Sequence, residues 1–372
     1  VHKKYPNPDP QKCNLNMLTK NLVLLLCLTI FLPCKFTNAA PEVIKQKIDH
    51  TVTVFMQNNN VPGLSLAVLK DGKPFLIRGY GYANLATKTP VDKKTLFGIG
   101  SVSKVITSFA LMTLVQEGKM NLSDSILDYV PKAPQQWRNV TIIQLLSHSS
   151  GIPQHSGPHL PWIKVWKELA KKNMQFQPGT AVAYNNFGFV VLGRAIENVS
   201  HQSLIDYLSH TIFIPLGMNH TGLPNSLFPP NLATGYQTKE GQIIPNPNQK
   251  SWQQMGGSGG VVSNISDMAK WDNAMSAGKI LTPAAYRQMW TPVRLTNGEP
   301  AGNQNWAWSL GWQVSSINGK HRAFKNGAIR GYSSWIERHL DDHVSIIILT
   351  NTNHVPLQRL ARLIFNQVMN AK

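Results

Sequence analysis

The chain has 372 residues, 42% of them hydrophobic and 15% charged, and Lys plus Arg outnumber Asp plus Glu by 36 to 18 for a formal net charge of +18. A charged fraction below the roughly 25% of an average soluble domain, beside a near-normal apolar fraction, excludes an intrinsically disordered chain and a charge-laced coiled coil, and leaves a globular protein of about two ordinary domains. The positive charge asks for an anionic partner, but the longest basic runs are pairs such as Lys3-Lys4, Lys93-Lys94 and Lys171-Lys172. With no basic helix face and no zinc-finger spacing, this argues against nucleic acid and for small anionic substrates or surfaces.

In chain order, residues 1–39 read as a leader. Met17, Lys20, the apolar run from Leu22 to Leu32, Pro33 and the small residues Thr37, Asn38 and Ala39 have the three zones of a secretory signal peptide. The run is shorter than the roughly 20 residues that a membrane span needs. Cleavage is expected after Ala39, with translation starting at Met17 and residues 1–16 an over-extended start. All three cysteines, Cys13, Cys27 and Cys34, precede that point, so the mature chain is expected to hold no disulfide. Phe31-Leu32-Pro33 lacks the small residues expected before a lipid-modified cysteine. A periplasmic product without a stable membrane anchor is expected. Residues 1–39 carry five Lys and one Asp, which leaves +14 for the remainder.

Glu42 to Gln57 then predicts a helix with Ile44, Ile48, Val52, Phe55 and Met56 on one face. Leu64–Leu69 and Pro74–Tyr82 are apolar runs around Asp71-Gly72, a hairpin signal. From Ser101 a helix is expected, with Val105, Phe109, Met112 and Val115 on one face and Gly118 at its stop. Residues 119–290 read as short helices and Pro- or Gly-rich loops. Strands return at Ala307–Val314, His321–Lys325, Tyr332–Glu337 and His343–Thr350, and Pro356 opens a last helix with Leu360, Ile364 and Val368. The fold class expected is α/β of the α+β kind, an antiparallel sheet from both chain ends flanked by helices, with a mostly helical domain inserted. Its boundaries are 40–118 and 291–372 for the two parts of the α/β domain and 119–290 for the insert.

Three motifs carry chemistry. Ser101-Val102-Ser103-Lys104 holds an amine at i+3 from a hydroxyl, on one helical face and at a helix N-terminus, an arrangement that activates a serine; alone, it also fits an N-cap serine and a solvated lysine. Tyr184-Asn185-Asn186 lies in a loop before an apolar helix. To accept a proton near neutral pH, a phenol of ordinary pKa about 10 needs a depression of roughly three units, about 4 kcal/mol, which nearby lysines are expected to supply. Lys325-Asn326-Gly327-Ala328 ends an apolar strand.

In this order, on helix, loop and strand, the three motifs resemble the serine β-lactamase and penicillin-recognising family, most of all class C β-lactamases and their D-alanyl-D-alanine carboxypeptidase and esterase relatives. The resemblance extends to Leu145-Leu146-Ser147-His148-Ser149-Ser150-Gly151, Ile214-Pro215-Leu216-Gly217-Met218, Gly259-Gly260-Val261-Val262-Ser263 and Leu349-Thr350-Asn351. It implies a serine hydrolase, a class C-like β-lactamase, that forms an acyl-enzyme on Ser101. Lys104 and Tyr184 would share the proton transfers, Asn186 would hold Lys104 and the substrate amide, and Lys325 would attract a carboxylate and keep the Tyr184 pKa low. Gly327 and Ala328 would line the substrate, with the N–H groups of Ser101 and Ala328 as oxyanion donors. The implied substrate is a small β-lactam or a peptidoglycan-like peptide, the implied state a monomer, and no metal or cofactor is required. Asn326 departs from the usual Thr, and the Leu145–Gly151 segment looks more like the carboxypeptidase and esterase branch. Lys325 points the other way, since many esterase-like relatives have His or Trp there. A non-catalytic penicillin- or cell-wall-binding protein is the third reading.

Competing motifs are weaker. Gly256-Gly257-Ser258-Gly259-Gly260 matches a nucleophile elbow, but Ser251-Trp252-Gln253-Gln254-Met255 before it is no apolar strand. The same glycines lack the Lys-Ser/Thr of a phosphate loop. His148, His155 and His159 straddle Pro153, Gly157 and Pro158 and cannot share a helical face for zinc. Trp306, Trp308 and Trp312 read as alternating strand residues packed in the sheet.

Overall fold

Ile48, Val52 and Phe55 are spaced for one helical stripe, and all three are buried on α1 (Ala39–Asn58). The computed structural model describes residues 39–155, 161–224, 230–246 and 252–370; the signal-peptide and start-site readings lie outside them. After α1 comes the hairpin of β1 (Gly63–Lys70) and β2 (Lys73–Asn84). At its tip Asp71 and Gly72 both have positive φ, 52° and 70°, as the tight turn that suits right-twisted strands requires.

β3 (Thr89–Pro90) closes this end of the sheet, and α2 (Ser103–Gln116) follows. Every residue of α2 from Ser103 to Leu114 is buried, so it is a central helix covered all round rather than the one-faced helix its periodicity suggested. Short helices such as Ile142–Leu146 and Leu204–Leu208 pack around it, with the longer α3 (Asn186–Ser200) and α4 (Ile265–Ser276).

The C-terminal part supplies β4 (Gly302–Asn303), β5 (Trp306–Trp308), β6 (Gln313–Ile317), β7 (Lys320–Ile329), β8 (Tyr332–His339), β9 (Val344–Thr350) and the closing α5 (Leu357–Met369). These nine strands make one sheet, ordered β3-β2-β1-β9-β8-β7-β6-β5-β4, and two separate two-stranded pairs, Leu96–Gly98 with Val262–Asn264 and Tyr236–Lys239 with Gln242–Pro245, also occur among the described residues. The pairing of β1 with β9 is antiparallel and joins the two chain ends. Both strands are buried on both faces, which explains why they read as apolar runs without polar alternation. Leu64, Leu66, Val68, Ile346 and Ile348 share one core with α1 and α5. Ala67, Leu69, Ile347 and Leu349 share the other with α2 and the middle segment. The expected sheet from both termini, flanked by helices, is the architecture observed, and Ala40–Lys372 is one compact unit.

Two strand expectations need correction. Ala307–Val314 is not one strand: it breaks into β5 and β6 around a turn in which Gly311 has φ +78°. A Cβ on Gly311 would lie 2.3 Å from Ser108 Oγ of α2, so the turn is where the sheet docks on the central helix. Trp312 lies at the end of that turn, stacked on Trp271, rather than in register with Trp306 and Trp308. Nor does a strand end at Lys325. β7 runs on to Ile329, pairing Lys325 with Ile336 and Gly327 with Ser334, so the whole Lys-Asn-Gly-Ala motif is strand.

Candidate active site

Ser101 sits on a single 3-10 turn, Gly100–Val102, that leads into α2. The expectation that it opens the α-helix itself is corrected by one turn: the N-cap positions are Ile99 for the 3-10 turn and Val102 for α2, not Ser101. The turn is pressed against β7. A Cβ on Gly100, whose φ is +50°, would lie 2.8 Å from the Ala328 nitrogen, and one on Gly327 would lie 2.1 Å from the Ile99 oxygen. Neither position admits a side chain. Ser334 Oγ of β8 also donates to the Ile99 carbonyl, at 2.7 Å. The main chain around Ser101 and that around Ala328 are thereby fixed side by side.

Three side chains meet at one oxygen. Tyr184 Oη donates to Ser101 Oγ at 2.6 Å, and Lys104 Nζ lies 3.2 Å from the same atom. Lys104 also donates to Asn186 Oδ1 at 2.7 Å and to the Ser258 carbonyl at 2.5 Å. Asn186 is the first residue of α3, whose N-cap is Asn185, so the helix start fixes where its amide points. Lys325, only 1% exposed, lies 4.9 Å from the Tyr184 ring and 4.5 Å from the Trp308 ring. No hydrogen bond or ion pair of the Lys325 amine occurs among the described residues.

The electrostatics reverse one expectation. Burial holds the Lys104 ammonium well below the ordinary lysine range, and the nearby charge of Lys325 pushes it the same way. Burial brings Lys325 down to about 7. The Tyr184 phenol is not depressed by these amines. Burial pushes it up to about 12, against the hydrogen bond to Ser101 that favours its anion. Tyr184 is 41% exposed, so solvent opposes part of that rise. Both shifts favour a neutral Lys104 and an intact phenol in the free site. A neutral amine has two N–H bonds and one lone pair. With the N–H bonds given to Asn186 and Ser258, the lone pair is left for the Ser101 hydroxyl.

Sequence reasoning misplaced several contributors. Ser258 is no nucleophile: it is buried, its hydroxyl donates to the Met255 carbonyl at 2.6 Å, and its own carbonyl is the acceptor for Lys104. The glycine segment instead clamps α2, since Thr107 Oγ1 donates to Gly257 O and the Val261 N–H donates to Ser103 Oγ. Trp308, expected only to pack in the sheet, is also the aromatic face over which Lys325 sits. His148, set aside in the sequence as a zinc ligand, is buried against Tyr184 with ring centroids 4.4 Å apart. No group of three potential metal ligands occurs among the described residues, and His159 lies outside them. The signal for His148 was that its segment, Leu145–Gly151, matched a family pattern without containing a motif for chemistry; Ser258 directly precedes another such segment, Gly259–Ser263.

Burial of Lys325 has a measurable consequence for stability. Between about pH 7 and the ordinary lysine value near 10.4, the unfolded chain keeps this amine protonated while the folded chain does not. Unfolding then takes up a proton, so folding stability rises with pH across that window. In urea unfolding at pH 7 and pH 9, the wild type should gain on Lys325→Met as pH rises. A constant difference between the two proteins would mean that Lys325 titrates normally.

Residues 48–369 match the Beta-lactamase family. "Protein flp" of Staphylococcus aureus (strain COL) is 27% identical over 341 residues, covering 88% of this chain and 67% of that protein. "Penicillin-binding protein 4*" of Bacillus subtilis (strain 168) is 29% identical over 296 residues, 73% of this chain and 64% of that protein. Both relatives are thus about half as long again as the part matched here. Among solved structures, the octameric penicillin-binding protein homologue from Pyrococcus abyssi aligns with a TM-score of 0.75 at 26% identity, over 88% of this chain and 77% of that one. With the sheet, the central helix and the three converging motifs, these matches make the chain a member of the Beta-lactamase family, a penicillin-binding-protein-like serine hydrolase fold.

Proposed function

We propose that the protein is an exported serine hydrolase that opens β-lactam rings through an acyl-enzyme on Ser101. The observation that carries this reading is the convergence of Tyr184 and Lys104 on Ser101 Oγ, with a second buried amine, Lys325, beside them. As Ser101 Oγ attacks the lactam carbonyl carbon, its proton passes to the lone pair of Lys104. The N–H groups of Ser101 and Ala328 receive the negative charge that develops on the carbonyl oxygen. The C–N bond breaks, and the leaving nitrogen takes the proton of Tyr184. Tyr184 is then a phenolate, and it accepts a proton from the water that attacks the ester. Ser101 leaves with the proton held on Lys104, which restores the starting state. The raised phenol pKa fits this division of labour: Tyr184 acts first as acid and only afterwards as base.

Lys325 gives the reading its substrate class. A buried amine facing two aromatic rings gains an ionic partner when a carboxylate arrives, and β-lactams and peptide C-termini both carry one. Asn186 and Gly327 would hold the amide side and the backbone of such a substrate. The second reading is a D-alanyl-D-alanine carboxypeptidase or an esterase on the same scaffold, and a non-catalytic penicillin- or cell-wall-binding protein is the third. The B. subtilis relative, named as a penicillin-binding protein, favours the carboxypeptidase side. The octameric state of the P. abyssi homologue argues against carrying the monomer expectation forward, and light scattering decides it.

Mass spectrometry with a chromogenic cephalosporin should show an adduct on Ser101 together with released product, both absent from Ser101→Ala and both present in Ser258→Ala. An adduct that forms and never turns over would favour the penicillin-binding reading over β-lactam hydrolysis.

Charge-assisted hydrogen bonds contribute roughly 1.5 to 3 kcal/mol, so Lys325→Ala should lower kcat/KM about ten- to a hundredfold for carboxylate-bearing substrates. The loss should be smaller for a neutral aryl ester, and in the wild type the preference should narrow as pH rises through about 7. Equal losses for both substrates would remove the reason for preferring a β-lactam.

Export predicts a secreted product beginning near Ala40, read by N-terminal sequencing. Retention of residues 17–39 on a membrane-bound form would contradict it.

A further inference from the structure

His148 touches the candidate site without being part of any of its three motifs. It holds a left-handed backbone conformation, φ +59°, and is 1% exposed. That conformation turns both its carbonyl and its ring toward the segment carrying Tyr184. The carbonyl accepts from the Ala183 N–H at 3.0 Å, and ring Nδ1 accepts from the Asn185 N–H at 3.1 Å. The residues on either side of Tyr184 are thus hydrogen-bonded to one residue. Between them the imidazole packs on the Tyr184 ring at 4.4 Å and meets Trp308 edge-on at 4.4 Å. Asn185 is held further by donating from Nδ2 to the Ile152 carbonyl at 2.7 Å.

We propose that His148, as a neutral imidazole protonated on Nε2, is the positioning residue that fixes Tyr184 against Ser101 Oγ. This rests on the acyl-enzyme reading for its functional consequence, but not for its geometry. A backbone N–H can only donate, so Nδ1 facing Asn185 must present its lone pair, and in the neutral ring the proton is then on Nε2. Protonating Nδ1 would set two donors against each other and push residue 185 away. Burial holds the ring well below its ordinary pKa, and whatever charge Lys325 or Lys104 carries pushes it the same way. Nε2 has no hydrogen-bond partner among the described residues, so the ring keeps a buried polar atom unpaired for the sake of the Nδ1 contact. The Tyr184 ring, 41% exposed, also meets Trp308 at 5.9 Å and the Lys325 and Lys104 amines at 4.9 and 5.0 Å, but none of these three side chains hydrogen-bonds the main chain on either side of it.

Two substitutions separate the acceptor from the ring. In His148→Asn, the side-chain Oδ1 falls near the position of Nδ1, and Asn tolerates the left-handed region. His148→Phe keeps a ring and loses the acceptor. A displacement of the order of 1 Å in a catalytic group can cost about a hundredfold, so acylation of Ser101 should slow about ten- to a hundredfold in His148→Phe, with KM little changed. His148→Asn should recover most of that loss, both proteins being compared below their melting temperatures. In 15N spectra of the wild type, His148 should be neutral across the physiological range, with the proton on Nε2. Wild-type acylation in His148→Phe, or equal losses in folded Phe and Asn variants, would overturn the proposal, as would a protonated Nδ1. If the wild type is never acylated, the hydrolase reading fails by itself. His148 is then judged by the Nδ1 signal and the Tyr184 ring resonances, which must shift in His148→Phe, and unshifted resonances overturn it.

Discussion

The structure around the site depends on one buried amine. Lys104 is 0% exposed within a helix that is covered on every side, and an isolated ammonium there would be prohibitively expensive. The cost is offset by giving up the charge and by supplying two good acceptors, the Asn186 amide and the Ser258 carbonyl. These acceptors come from α3 and from the glycine segment 256–260, which is also tied to α2 through Thr107 and Ser103. What makes the amine tolerable also leaves its lone pair toward Ser101. Stability and reactivity are thus set by the same three contacts.

The sheet holds the other half of the site to the same tolerance. Gly100 and Gly327 are pressed so close to β7 and to the Ile99 carbonyl that neither position admits a Cβ. Ser334 reaches across from β8 to the same carbonyl. Because β8 pairs with β9 and β9 with β1, this contact links the turn that carries Ser101 to the central strands of the sheet. An antiparallel sheet assembled from both chain ends is a rigid platform whose centre cannot slide without flipping buried side chains to the opposite face. The position of Lys325 and Ala328 relative to Ser101 is therefore fixed by register rather than by loop conformation.

Local patterns made much of this legible. The hairpin at Asp71-Gly72, the buried strands at both ends and the Ser101–Lys104 spacing all depend on short-range rules, and each stands where those rules put it. The readings that failed depend on what lies around a residue. Proximity of two lysines suggested a depressed Tyr184, but burial disfavours the charged form of both lysines, and burial of the phenol itself raises it. Trp306, Trp308 and Trp312 alternate in sequence as a strand would, yet a glycine that docks on Ser108 breaks the strand between them. Gly256–Gly260 matched a nucleophile motif in letters because close backbone packing and a sharp elbow both call for glycine. His148 carried no signal of its own, since its importance comes from what its carbonyl and Nδ1 accept across 35 and 37 positions of sequence.

The two lysines differ in a way that bears on substrate choice. Lys104 has protein acceptors waiting for it, whereas Lys325 has only the faces of Tyr184 and Trp308. Cation–π contacts favour an ammonium, but too weakly to hold it fully charged after burial, which is why its pKa falls to about 7. An arriving carboxylate changes that balance, because an ion pair beside aromatic walls stabilises the ammonium far more than the rings alone. Binding of an anionic substrate near or above neutral pH therefore draws a proton onto Lys325. The resulting pair is neutral as a unit, so the site accepts an anion without placing net charge beside Lys104. A neutral substrate brings no such compensation. Lys325 then stays partly uncharged and contributes little, and on the proposed reading the selectivity of the site would lie in the coupling between the two charges.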